Sequence, residues 1–269
     1  MVRRLGISAA GLARAAGSLA LTGPALAAGS GQHTSVRTVA SHGILPGGLF
    51  KPAPGTHSAK VHGRSISYSS NWSGYAVTGS TFATATADWT QPAITCTSGD
   101  GETDMSPWVG IDGYSSSTVE QTGSSGDCDG ATKDYYAWYE MYPRNVVVIN
   151  KTVEPGDQFT ATVTHTTGTS YKLVLEDITQ GWTNSVTKSI RAKDSSAEAV
   201  EEMAANHLTK WSGTDPFTDF TVDGNPIGSY TGSPYKIEQM EIENGSTVCD
   251  STSALTNEEN FTVTWLNAC

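Results

Sequence analysis

From Ile66 onward the sequence predicts an all-β fold, two antiparallel sheets packed into a sandwich of jelly-roll or concanavalin-like type. The first sign is texture: Thr, Ser, Val, Tyr and Trp alternate in runs of five to eight residues, the period of a strand with one buried face. Punctuation is the second, because Pro155-Gly156-Asp157, Asp223-Gly224-Asn225 and Asn244-Gly245 separate such runs with tight-turn chemistry. Size is the third. Roughly 200 residues are enough for one core that removes about 70% of the extended chain's surface from water.

In chain order, residues 1–28 read as a signal peptide: Arg3 and Arg4 form a positive start, an Ala/Leu-rich stretch follows, and Ala25-Leu26-Ala27 has the small-x-small form of a cleavage site. Gly17, Ser18, Gly23 and Pro24 interrupt that stretch, which is too short to be a membrane anchor. A secreted, extracellular protein is therefore expected. Residues 29–65 read as a basic pro-segment, rich in Gly, Pro, Ser and His, with one apolar island at Ile44, Leu45, Leu49 and Phe50. Residues 66–269 form the sandwich domain. Within it, strands are expected at 84–90, 135–142, 146–150, 158–165, 171–177, 217–222, 236–243 and 261–266. Ser195–Ala205 has helix-forming composition, and Ser195 with Glu198 matches a capping box, so local propensity predicts a helix there.

Charge divides the chain sharply. Residues 1–65 hold seven of the 16 Lys and Arg and none of the 27 Asp and Glu, leaving the remainder with nine bases against 27 acids. Such a division favours a pro-segment that docks on its own domain by charge and loosens in acid, with cleavage expected near Arg64–Ile66; a plain linker is the alternative. An acidic domain without a basic cluster argues against nucleic acid and membrane partners, which need Lys/Arg-rich surfaces. It suits a protein that works in acid, expected as a monomer.

Only His165 and His207 lie beyond the pro-segment, and neither sits in a Ser-His-Asp or zinc pattern. Calcium-loop spacing is absent as well, so no cofactor is implied. Four cysteines in a secreted chain read as two disulfides with three possible pairings. The local pairs Cys96–Cys128 and Cys249–Cys269 are expected, the first flanking the SPWVGIDG and VEQTG segments and the second tying down the C-terminus.

With His, Cys and metals set aside, carboxylates inside aromatic, Gly-rich strand sequence become the candidates for chemistry. Ser70-Asn71-Trp72-Ser73-Gly74-Tyr75, a stretch ending Ala87-Asp88-Trp89-Thr90-Gln91-Pro92, Ser106–Gly113, Val119–Gly123 and Tyr135–Pro143 form an ordered series of such motifs. Together they resemble the eqolisins, the glutamic peptidases, in a bacterial secreted form. The resemblance implies an acid endopeptidase on a two-sheet sandwich, made as a precursor and acting on protein or peptide substrates through a Gln/Glu dyad and an activated water. On the family pattern the Gln matches Gln121 and the Glu matches Glu198, in Ala197-Glu198-Ala199, where Ala199 replaces the family's Trp; Glu201 is the alternative. Trp72 and Trp108 are expected to border the cleft. Asp112 and Glu140 are expected at the substrate-binding site, as hydrogen-bonded members of a network beside the dyad, with an outward-facing position as the alternative.

The pairing is also chemically sensible. Amide hydrolysis needs a group that takes a proton from water and returns one to the leaving nitrogen, which one carboxylate can do in sequence. A Gln amide donates to the oxyanion without titrating, so it keeps that role in acid. The competing readings of the same aromatic-rich sandwich are a carbohydrate-binding module and a two-carboxylate glycoside hydrolase.

Overall fold

The structure, a computed structural model, describes residues 45–55, 58–61, 64–204 and 207–269. The expected signal peptide and the first part of the pro-segment lie outside the described residues. Those described are almost entirely β, with one short 3-10 turn at Ile227–Ser229.

Two large sheets make the sandwich. In the first, the main path runs Ala59–Val61, Arg64–Ser69, Lys236–Asn244, Trp72–Thr78, Ser196–Glu202, Ser106–Asp112, Val119–Asp129, Thr132–Tyr142, Val147–Ile149. The second runs Trp182–Ser189, Ser170–Asp177, Gln158–Thr167, Thr84–Thr90, Thr214–Val222, Phe261–Trp265, Asp250–Thr252. Neighbours pair antiparallel except Arg64–Ser69, which lies parallel to Lys236–Asn244 with Ile66 opposite Gln239. That strand crosses the boundary expected between pro-segment and domain, so residues 64 and 65 belong to the sheet.

Between the sheets, Val109, Ile111, Ala197 and Ala199 meet Ala87, Phe159, Val163 and Phe217, all buried. Small residues on one sheet leave room for rings on the other, where Trp89 stacks on Phe159 at 5.5 Å and Phe217 on Phe261 at 4.8 Å. The opposite face of the first sheet carries a second apolar cluster, Trp72, Trp108, Val119, Trp138, Val200 and Met240, with Leu49 and Phe50 packed against it. Its central strands are therefore buried on both faces, which removes the clean apolar/polar alternation from their sequence.

The expected helix at 195–205 is instead the strand Ser196–Glu202, every residue of it buried. It pairs on one side with Trp72–Thr78 and on the other with Ser106–Asp112. Hydrogen bonding along both edges in the middle of a sheet outweighs the few tenths of a kcal/mol per residue by which Ala and Glu prefer a helix. The Ser195 hydroxyl that looked like a helix cap donates to Asp112 Oδ1 at 2.8 Å. Both disulfides join the expected local pairs, Cys96–Cys128 and Cys249–Cys269.

Candidate active site

On the face of the first sheet away from the sandwich core, Gln121 lies directly opposite Glu140 on the next strand. Its Nε2 donates to Glu140 Oε2 at 2.7 Å. An amide nitrogen carries two protons, so this bond orients the group and leaves the second proton for another acceptor. Glu140 is nearly enclosed, and burial raises its pKa to about 7 against the opposing effect of the Gln121 hydrogen bond.

In the other direction, Gln121 faces Gly110, and Gly110 faces Glu198. A Cβ at position 110 would lie 2.7 Å from Cζ3 of Trp108, so glycine is what allows the indole to fold over this point. From there Trp108 Nε1 reaches Glu202 Oε2 at 2.9 Å. Glu202 stands four residues beyond Glu198, on the same face of its strand. Its Oε1 accepts from Asn71 Nδ2 at 3.4 Å, and its Oε2 from the Gly47 backbone N–H at 3.2 Å. Burial pushes the Glu202 pKa to about 8; the Trp108 hydrogen bond works against this shift, and the charge of Glu140 adds to it.

Gly47 ties the two halves of the site together. Beyond its bond to Glu202, a Cβ there would lie 2.1 Å from Glu140 Oε2 and 3.1 Å from Gln121 Nε2. Gln121, Glu140 and Glu202 thus converge on one backbone position of a peptide segment crossing this face.

Glu202 is four residues further along the same strand than Glu198, which faces Gln121 across Gly110; Glu198 takes neither the Trp108 indole N–H nor the Gly47 N–H that hold Glu202. Burial holds the Glu198 carboxyl well above the usual range; the Ser196 hydroxyl opposes this, and the charges of Asp112 and Glu120 reinforce it. Glu201 points to the other face, between the sheets, where it accepts the Ser106 N–H at 2.6 Å and interacts with Asp215. Asp112, at φ 70°, gathers the backbone N–H groups of Lys193, Asp194 and Ser195 at 2.7–3.0 Å. It anchors the loop that leads into Ser196–Glu202. Trp72 packs edge-on against Trp108 at 4.9 Å.

The profile described as the Peptidase A4 family matches residues 70–265. The chain belongs to this family, the eqolisins. Aspergillopepsin-2 of Aspergillus niger is 28% identical over 223 residues, spanning 74% of this chain and 78% of that protein. Scytalidopepsin B of Scytalidium lignicola is 36% identical over 124 residues, 45% of each chain. A solved structure of scytalido-glutamic peptidase with a transition state analog inhibitor superposes with a TM-score of 0.62 at 25% identity, covering 73% of this chain and 98% of that one. The sandwich expected from the sequence is the fold of these eqolisins, and the chain is a glutamic endopeptidase by descent.

Glu202, which the sequence reading did not single out, shares a strand face with Glu198 and Val200, and of the two acids it is the one bonded to the Trp108 indole.

Proposed function

We propose that the protein is a secreted, acid-active endopeptidase in which Gln121 and Glu202 form the dyad and Glu140 orients Gln121. The observation that carries this reading is the convergence of all three side chains on residue 47 of a peptide segment. Glu202 removes a proton from a water as it attacks the scissile carbonyl, then returns that proton to the departing nitrogen. The free amide proton of Gln121 meets the oxyanion that develops, and Glu140 fixes the direction in which it points. Trp108 places the Glu202 carboxyl through its indole N–H. The mechanism assigns no step to a metal or a covalent nucleophile.

Residues 1–28 as an export signal and 29–65 as a pro-segment belong to the same proposal. Two disulfides support a chain matured in an oxidising compartment. The test is hydrolysis of a denatured protein by the purified chain at pH 3 and pH 7, with Gln121→Ala alongside. Acid-favoured cleavage by the parent and none by the variant is expected, with no effect of EDTA or of serine and cysteine reagents. A rate maximum above pH 7, or inhibition by EDTA, would remove the dyad mechanism.

A further inference from the structure

His165, which falls in no catalytic pattern, has both ring nitrogens engaged. Nδ1 lies 2.9 Å from Asp194 Oδ2, and Nε2 lies 3.1 Å from the Gly168 carbonyl oxygen. The ring stacks on Tyr171 at 4.6 Å, and the Tyr171 hydroxyl donates to Asp194 Oδ1 at 2.6 Å. A carbonyl oxygen and a carboxylate only accept, so each nitrogen needs a proton, and only the imidazolium carries both. A neutral ring leaves one lone pair facing an acceptor, whichever tautomer it takes.

This group stands where the chain crosses between the sheets. Trp182–Ser189 is the edge strand of the second sheet and Ser196–Glu202 is central in the first, so residues 190–195 join the two. Asp194 sits in this connection at φ 56°, a left-handed conformation uncommon outside glycine, and its carbonyl accepts the Phe82 N–H at 2.8 Å. Asp112 holds the neighbouring backbone N–H groups of residues 193–195. His165 and Tyr171 face each other across two strands of the second sheet, and the His165 N–H donates to the Ala83 carbonyl at 2.8 Å. From the first sheet comes Glu120, fully enclosed, whose pKa is raised to about 9 by burial and by the charge of Asp112, so it is neutral in acid. Burial also raises the Tyr171 phenol, with the charges of Glu120, Asp194 and Asp112 adding to the shift. Lys188, opposite Tyr171 on its other side, directs its ammonium to the Tyr139 ring at 5.4 Å.

We propose that His165 is a proton-operated clamp on this crossing. In its charged form it ties the hairpin turn at Gly168 to Asp194 and fixes the entry to the strand Ser196–Glu202; when the proton leaves, that entry loosens. The clamp concerns how the strand is held, and it stands whichever carboxyl of the strand performs the chemistry. It adds stability in weak acid, where the ring is charged and Asp194 ionised. That contribution is lost as pH rises and the ring gives up its proton, and again in strong acid as the carboxylate takes one up.

Backbone hydrogen exchange on the full chain tests the clamp, in a Gln121→Ala background that prevents self-cleavage. It is read as protection factors at pH 8 and at pH 5, the latter between the ordinary values of Asp and His side chains, about 3.9 and about 6.5. The amides followed are Phe82, Asp194 and Ser195. At pH 5, His165→Gln and Asp194→Asn should each lower their protection at least about tenfold, and the double variant no further than either one. At pH 8 the parent and His165→Gln should agree within about threefold. Equal protection in parent and His165→Gln at pH 5 would overturn the clamp. So would an equal loss at both pH values, the result of a merely structural histidine, or losses that multiply in the double variant. The parent alone gives a second reading that needs no His165 or Asp194 variant: between pH 5 and pH 8, protection at the three amides should fall at least about tenfold more than at Leu173 in the core. An equal fall at both places contradicts the proposal.

Discussion

Gln121 Nε2 and Glu140 Oε2 are 2.7 Å apart on directly opposed positions of adjacent strands, and this bond sets the direction of the Gln121 amide. Replacing Glu140 by Ala is expected to lower kcat by about 10–100-fold with little change in KM, because an amide free to rotate is a poorer oxyanion donor. Glu140→Gln retains a carbonyl that accepts the same proton and should recover much of the loss. Steady-state kinetics on a short acid-soluble peptide reads the split. A loss confined to KM would assign Glu140 to substrate binding instead.

Stability should depend on pH through the carboxyls between the sheets. Burial, reinforced by the neighbouring Asp215, holds Glu201 well above the usual range, while burial places Asp215 at about 8 and Asp250 at about 7. All three are completely enclosed, with Asp250 also accepting from Ser73 Oγ and the Ile242 N–H. Folded values above unfolded ones mean that the contribution is full below about pH 4 and is lost as pH rises through 7–8. The melting temperature is expected to fall by roughly 10 °C or more between pH 4 and pH 8. Asp215→Asn should flatten that dependence. Calorimetry showing a higher melting temperature at pH 8 than at pH 4 would contradict the assignment.

Breaking Cys96–Cys128 with paired serine substitutions should cost about 3 kcal/mol, because the bond closes a loop of 32 residues. For a domain of this size that is roughly 6–12 °C in melting temperature. Residual activity at low temperature should persist, since neither cysteine contacts Gln121, Glu140 or Glu202.

Much of the fold was legible because most strands carry their own signal. Thr84–Thr90 alternates half-exposed Thr and Asp with buried Ala and Trp, and its bounds are those expected from the sequence. Ser196–Glu202 was not legible. Its seven residues are buried on both faces, its composition favours a helix, and its apparent cap serves the loop that Asp112 anchors. Glu198 was singled out by matching Ala197-Glu198-Ala199 to the family pattern, and a sequence pattern does not show which carboxyl of the strand the Trp108 indole meets. Gln121 and Glu140 stood out because polar side chains interrupt aromatic strand sequence at both positions. Docking of the pro-segment was expected from charge, whereas the packing of its Leu49–Phe50 island against the Trp72 and Trp108 cluster was not. Lys51 itself is exposed. Charge patterns are visible in a sequence, whereas a cluster such as Trp72, Trp108 and Trp138 exists only after strands distant in the chain have paired.

The most direct test of the account compares kcat/KM at acid pH for Glu202→Gln and Glu198→Gln, each processed by a trace of parent enzyme and then freed of it. Glu202→Gln should lose at least about 10³-fold, because an amide cannot take a proton from water. Glu198→Gln should stay within about tenfold of the parent, since it replaces a protonated, enclosed carboxyl by a neutral group of the same shape. Parent-like activity in Glu202→Gln together with collapse in Glu198→Gln would contradict the dyad.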